Sequence, residues 1–342
     1  MMNYYKKDLI FAGVLVIAVL SLGIYFIVQI YKDDANAEDE SMQEITEYMD
    51  YEPDIPRELV IDSSPLEPEP LTLEDDAADD QEDDEEYPML PTEVRPGLFD
   101  LEDIIQGIIA GFGGEYSVYV QNLDTKEYLV INNRPCVPAS LLKLFNMAAV
   151  YNQIENGLLE YTPQIHLWLY NMIVVSCNDS YNSLLVAMGN GDLLGGARYA
   201  SDFSYQQGFN YTLVGGTLAP SVFEDMHFAN ILTSVKDVGT LLEMIYRGTL
   251  VSEWASEQML EILLAQQILN KIPAGLPPGT IFASKTGEIP NYEHDAAIIY
   301  SEGANFVLVI KSRYDGWAIG NIQTLTRAVY YYFNPGSMNV DE

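Results

Sequence analysis

The chain has 342 residues, with 51 Asp and Glu against 16 Lys and Arg, for a formal net charge of −35. That balance excludes binding to a nucleic-acid phosphate backbone. The three histidines, His166, His227 and His294, lack metal-ligand spacing, so no metal or other cofactor is expected. The acidity is uneven: residues 33–97 carry 25 acidic residues against Arg57 and Arg95, 2 − 25 = −23, with eight of the 17 prolines.

Residues 1–8 form a short stub before Leu9 to Ile30, an apolar run of 22 residues with Lys6 and Lys7 on one side and Lys32 on the other. At about 1.5 Å per residue a helix of that length crosses the ~30 Å hydrocarbon layer. The lysine pair predicts a cytoplasmic N-terminus and a body on the outer side of the membrane. Ala35-Asn36-Ala37 also has the form of a signal-peptide cleavage site, so removal of the segment is the alternative to a retained single-pass anchor. Residues 31–97, with Asp79-Asp80-Gln81-Glu82-Asp83-Asp84-Glu85-Glu86 as their extreme, hold too little apolar surface to offset ordering entropy. They read as a disordered linker with a reach of roughly 45 Å by random-coil scaling.

From residue 98 to 342 the pattern is that of one folded body. A short amphipathic helix, Leu98 to Ala110, leads into two alternating runs, Tyr116 to Val120 and Tyr128 to Ile131, joined as a hairpin around Asn122-Leu123-Asp124. Helical periodicity then dominates to about Leu269. Strand character returns in Thr280 to Lys285, His294 to Tyr300 and Asn305 to Ser312, before a last helix through Thr324 to Phe333. Strands from both chain ends with helices between them predict an α/β (α+β) body, an antiparallel sheet with flanking helices and a helical lobe. Cys136 and Cys177 are the only cysteines; they either pair or remain two separate small residues.

Three strings carry chemistry. Ser140-Leu141-Leu142-Lys143 follows Pro138 and opens a good helix former, so Ser140 falls in the first turn, where amide N–H groups lack helical partners. Lys143, three residues on, shares its helical face and is within reach of the Ser140 hydroxyl, the partner a serine needs to become nucleophilic. Partial burial and a nearby second cation would promote the neutral Lys143 amine that this needs, and Lys285 is the candidate for that cation. Ser176-Cys177-Asn178 reads as a connection between helices, where the alternative to a chemical role is a polar helix cap with Asp179 or Ser180 as the capping residue. Lys285-Thr286-Gly287 closes a strand, where the glycine lets backbone approach a ligand.

Together the strings form the S-x-x-K, S-x-N, K-T-G set, and residues 138–157, PASLLKLFNMAAVYNQIENG, resemble the nucleophile helix of class A β-lactamases. Lys271 to Gly279 is similar to the hinge before the K-T-G strand of that family. The resemblance implies the serine β-lactamase/D,D-peptidase-like fold and an acyl-enzyme on Ser140, with Lys143 as base. Ser176 would relay a proton to the leaving nitrogen, and Asn178 would bind substrate and hold Lys143. Lys285 and Thr286 would hold a substrate carboxylate, Gly287 would let the backbone approach the ligand closely, and the N–H of Glu288 would join that of Ser140 as oxyanion donor. The implied partner is a β-lactam or a D-Ala-D-Ala-like peptidoglycan stem.

Three positions depart from the family pattern. Cys177 stands where Asp is usual, Glu288 where a small residue is usual, and His294-Asp295 where many members carry a carboxylate-supporting arginine. The loop expected to supply a glutamate for deacylation reads Tyr211 to Pro220 without a carboxylate, leaving Glu224 as a displaced candidate. The sequence therefore predicts a serine hydrolase acting on a β-lactam or related amide. A D,D-carboxypeptidase or transpeptidase is the first alternative, and a binding module without turnover is the second.

Overall fold

The computed structural model describes residues 93–94, 97–216, 218 and 231–336. The apolar run 9–30, the acidic segment apart from those few residues, His227 and Glu224 lie outside the described residues. Among the described residues no helix is long and apolar enough to cross a membrane.

The frame is a six-stranded antiparallel sheet. In chain order its strands are β1 (Glu93–Val94), β2 (Glu115–Asn122), β3 (Tyr128–Ile131), β4 (Ile281–Ile289), β5 (Tyr292–Tyr300) and β6 (Phe306–Arg313). Their spatial order is β1-β3-β2-β6-β5-β4. The two ends of the chain meet where β2 pairs β6, with Val118 opposite Ile310 and Val120 opposite Leu308. β1 falls within the acidic segment and still pairs β3, Glu93 opposite Val130. Asn122 turns the β2–β3 hairpin by accepting the N–H groups of Asp124 and Thr125 on its side chain.

Both faces of the sheet are covered, which is why β6 reads as the unbroken apolar run Phe306 to Ile310 rather than as an alternation. One face, with Val118, Val120, Leu308 and Ile310, packs on α1 (Phe99–Ile109), on the α8 turn (Ile272–Gly275) and on α9 (Ala318–Phe333). The other, with Tyr119, Val307 and Val309, packs on the helical lobe. At the centre of the lobe lies α2 (Leu142–Glu155), almost wholly buried and apolar around most of its circumference, as a helix enclosed by others must be. Around it stand α3 (Pro163–Val174), α4 (Asn178–Met188), α5 (Leu193–Gln206), α6 (Val235–Tyr246) and α7 (Glu253–Leu264). Thr162, Ser234 and Ser252 cap α3, α6 and α7 through their side-chain oxygens.

Candidate active site

A 3-10 turn, Ala139–Leu141, precedes α2 and carries Ser140 against the free edge of β4. The approach is close because residue 287 has no side chain. A Cβ there would lie 3.1 Å from the Ser140 amide nitrogen and 3.2 Å from both the Leu141 nitrogen and the Pro138 oxygen. The third element is the α3–α4 connection. Ala139 and Ser176 both hold positive φ, 46° and 58°, conformations that cost a non-glycine residue roughly 1 kcal/mol or more and persist only when the surroundings enforce them.

Lys143 is fully buried where these elements meet. Its Nζ lies 2.6 Å from the Ser176 carbonyl oxygen, 2.7 Å from Asn178 Oδ1, 3.1 Å from Ser140 Oγ and 3.2 Å from Ser176 Oγ. The two shortest contacts are to atoms that only accept. A neutral amine has two N–H donors for them, which leaves its lone pair for the Ser140 hydroxyl. Burial pushes the Lys143 ammonium down to about 7, against a smaller opposing pull from Cys177. Burial thus leads, and of the two influences that the sequence named, partial burial and Lys285 as a second cation, it is the one that lowers Lys143. The repulsion is felt at Lys285, which is held well below the lysine range by burial first and by Lys143 second. Lys285 Nζ donates to Ser176 Oγ at 2.9 Å and to the Thr286 carbonyl at 2.6 Å. The Ser176 hydroxyl is thereby shared between two lysines.

Lys285, Thr286 and Gly287 do not end their strand. β4 continues to Ile289 because Glu288 and Ile289 still pair Glu293 and Tyr292 across a tight turn at Asn291. The capping of α4 also differs from expectation. Neither Asp179 nor Ser180 is the cap; the Cys177 sulfur accepts the Ser180 N–H at 3.5 Å. Cys136 and Cys177 are both free thiols.

Strand alternation places Lys285 and Gly287 on the Ser140 side and Thr286 and Glu288 on the opposite face. There the Thr286 hydroxyl donates to the His294 carbonyl at 3.2 Å and accepts from Lys271 Nζ at 3.0 Å, so it is already committed within the protein. Lys271, read in sequence only as part of a hinge, is as buried as Lys143 and Lys285. It also pairs Glu293 at 2.5 Å and Glu288 at 3.7 Å. The exposed Glu288 carboxylate thus turns toward Lys271. Asp295, wholly buried, accepts the Ile272 N–H at 2.7 Å and is pushed up to about 7 by burial. His294 is a core residue: its Nε2–H donates to the Val137 carbonyl at 2.9 Å while Nδ1 accepts the Ser312 N–H at 3.3 Å. Burial holds it down to about 3, so the ring is neutral. His166 is exposed and bonded to Tyr161. In the loop after α5, residues 211–216 and Leu218 carry no carboxylate, and Asn182 fixes Leu218 through both its backbone N–H and C=O.

The arrangement defines a serine hydrolase site on a mixed α/β fold. A sequence model of the beta-lactamase enzyme family (Beta-lactamase2) matches residues 100–168 and 168–333. The chain belongs to that family and is a β-lactamase-like serine hydrolase. No curated protein sequence matches it. Among solved structures, PBP-A is similar at TM-score 0.60 and 20% identity, over 70% of this chain and 97% of that one. A mutant of PBP-A, in its acyl-enzyme complex with penicillin G, is similar at 0.60 and 21%, over 72% and 100%. A β-lactamase from Sphaerobacter thermophilus DSM 20745 is similar at 0.58 and 19%, over 69% and 97%. At these identities the likeness is one of fold.

Proposed function

We propose that the protein opens a β-lactam or related amide through an acyl-enzyme on Ser140. The observation that carries this is the buried Lys143 amine 3.1 Å from Ser140 Oγ, with its N–H donors committed elsewhere. Ser140 Oγ attacks the carbonyl carbon and its proton passes to Lys143 Nζ, while the N–H groups of Ser140 and Glu288 receive the oxyanion. On collapse the C–N bond breaks, and the leaving nitrogen takes a proton from the Ser176 hydroxyl, which is replenished from Lys143. Lys285 holds the substrate carboxylate where Gly287 lets the strand come close, the Thr286 hydroxyl being committed to Lys271 and His294 on the other face, and Asn178 keeps Lys143 in place. The PBP-A mutant that shares the fold is itself an acyl-enzyme with penicillin G.

A specific observation favours a second reading, a D,D-carboxypeptidase or transpeptidase on peptidoglycan stems: residues 211–216 and Leu218 supply no carboxylate to activate a deacylating water. Residues 9–30 would anchor the enzyme, with the body on the outer side of the membrane, where such stems lie. Mass spectrometry of the penicillin-treated protein tests both readings. A mass increase on Ser140 supports acylation, and an unlabelled serine sinks it, leaving only a binding module. A short-lived adduct that persists in Glu224→Gln identifies a β-lactamase with a displaced base. A lasting adduct together with D-alanine released from a pentapeptide identifies the peptidase.

A further inference from the structure

Lys271 has no part in the reaction as written, yet its ammonium is buried beneath the K-T-G strand and donates at 3.0 Å to the Gly287 carbonyl. That carbonyl belongs to the same peptide unit as the N–H of Glu288. Backbone groups on a strand alternate, so both groups of Thr286 point one way, those of Gly287 the other, and those of Glu288 outward again. The Thr286 carbonyl is met by Lys285 on the Ser176 side. The Glu288 N–H therefore faces the same open edge, while the Gly287 carbonyl faces inward, opposite His294 on β5, where Lys271 meets it. In a trans peptide, charge placed on the oxygen draws electron density from the nitrogen and strengthens its N–H as a donor. Among the described residues no cis peptide interrupts this geometry.

We propose that Lys271 is a positioning residue that polarises the Gly287–Glu288 peptide and so tunes one donor of the oxyanion hole. This rests on the acyl-enzyme reading above. Glu293, paired to Lys271 at 2.5 Å, and Glu288 at 3.7 Å set how much of the ammonium's field falls on that carbonyl. Thr286 Oγ1 and the His294 carbonyl, at 3.0 and 3.4 Å from Nζ, keep the ammonium centred on the strand pair. The arrangement sets a direction for each neighbour: removing Lys271's charge weakens the Glu288 donor, and removing the charge of Glu293 strengthens it.

The test is the ester carbonyl stretch of the penicilloyl adduct on Ser140, isolated by isotope-edited infrared difference spectroscopy in wild type, Lys271→Met and Glu293→Gln. The stretch falls as the oxyanion donors strengthen. It is expected to rise in Lys271→Met and fall in Glu293→Gln. The acylation rate constant of Lys271→Met is expected to drop about tenfold, less than the ~10²–10³ for losing a donor outright. Non-covalent penicillin affinity should stay within about twofold, the pattern of an interaction made in the transition state. A general loosening of the strand would move both variants the same way, so that result overturns the proposal, as does an unmoved stretch in Lys271→Met. If Lys271→Met does not fold, Glu293→Gln decides alone: a stretch that rises or stays overturns the proposal. A wild-type protein that penicillin never labels overturns the acyl-enzyme reading itself, whereas a labelled wild type with an unmoved stretch removes only the role of Lys271.

Discussion

Burying an amine to make it a base has two consequences at Lys143, one for rate and one for stability. In the proposed reaction the neutral form takes the Ser140 proton, and with its ammonium pushed down to about 7 that form fills in as pH rises through neutrality. The acylation rate constant should therefore climb with a midpoint near 7 and level off above it, the midpoint being set by burial against a smaller opposing pull from Cys177. For stability, the unfolded chain keeps Lys143 protonated to about 10.4, whereas the folded chain releases the proton near 7. Between those values the unfolded state holds more protons, so unfolding becomes less favourable as pH rises, by up to ~1.4 kcal/mol per pH unit for this group. Denaturant midpoints taken from pH 7 to 10 should rise in the wild type and rise less steeply in Lys143→Met. An equal slope in the two proteins would show that the amine is not held neutral by the fold.

At the scale of elements, α4 begins with a weak cap. Sulfur is a poor acceptor, and Cys177 receives the Ser180 N–H at 3.5 Å. Cys177→Asp puts a carboxylate at the positive end of the helix, worth about 0.5–1 kcal/mol, or roughly 1–4 °C in Tm for a body of this size. The same charge beside Lys143 should favour its protonated form and carry the acylation midpoint upward. A melting curve and a pH–rate profile on one variant check both effects, and a midpoint that stays or falls refutes the electrostatic link. This capping was not legible in sequence, because Asp179 and Ser180 are the more usual caps and only the β conformation at Cys177 decides between them. What was legible is local. The three-residue spacing of Ser140 and Lys143, the hairpin at Asn122 and the strand character of His294 to Tyr300 all follow from neighbours along the chain. Lys271 was hidden because its partners lie 15 to 23 residues away on two paired strands, and no local pattern separates a lysine under a sheet from one in solvent. The end of β4 was misplaced for a similar cause: what extends it past Gly287 is the pairing of Glu288 and Ile289 with Glu293 and Tyr292 on the next strand.

For the whole molecule, charge is distributed against the site's own sign. Residues 98–342 carry 11 basic and 25 acidic residues, 11 − 25 = −14, and the full chain carries −35. Four of those basic residues, Lys143, Lys271, Lys285 and Lys311, are almost wholly buried, so the surface is more acidic than the count. An anionic substrate of the proposed kind would thus cross a repulsive field before it met Lys285. That field lowers the local concentration of the anion whether encounter or chemistry limits the rate, so it enters kcat/KM either way. Salt shortens its range, from ~30 Å at 0.01 M to ~10 Å at 0.1 M. The second-order acylation constant for a penicillin bearing a single carboxylate should therefore increase with ionic strength over that interval, by roughly two- to tenfold. A penicillin that also carries an ammonium group has no net charge to repel and should respond much less. Stopped-flow acylation with the pair separates this from a general salt effect on the fold, which would move both alike. A constant that falls with salt for the monoanion would mean instead that the buried lysines outweigh the acidic surface at the distance from which substrate is drawn in.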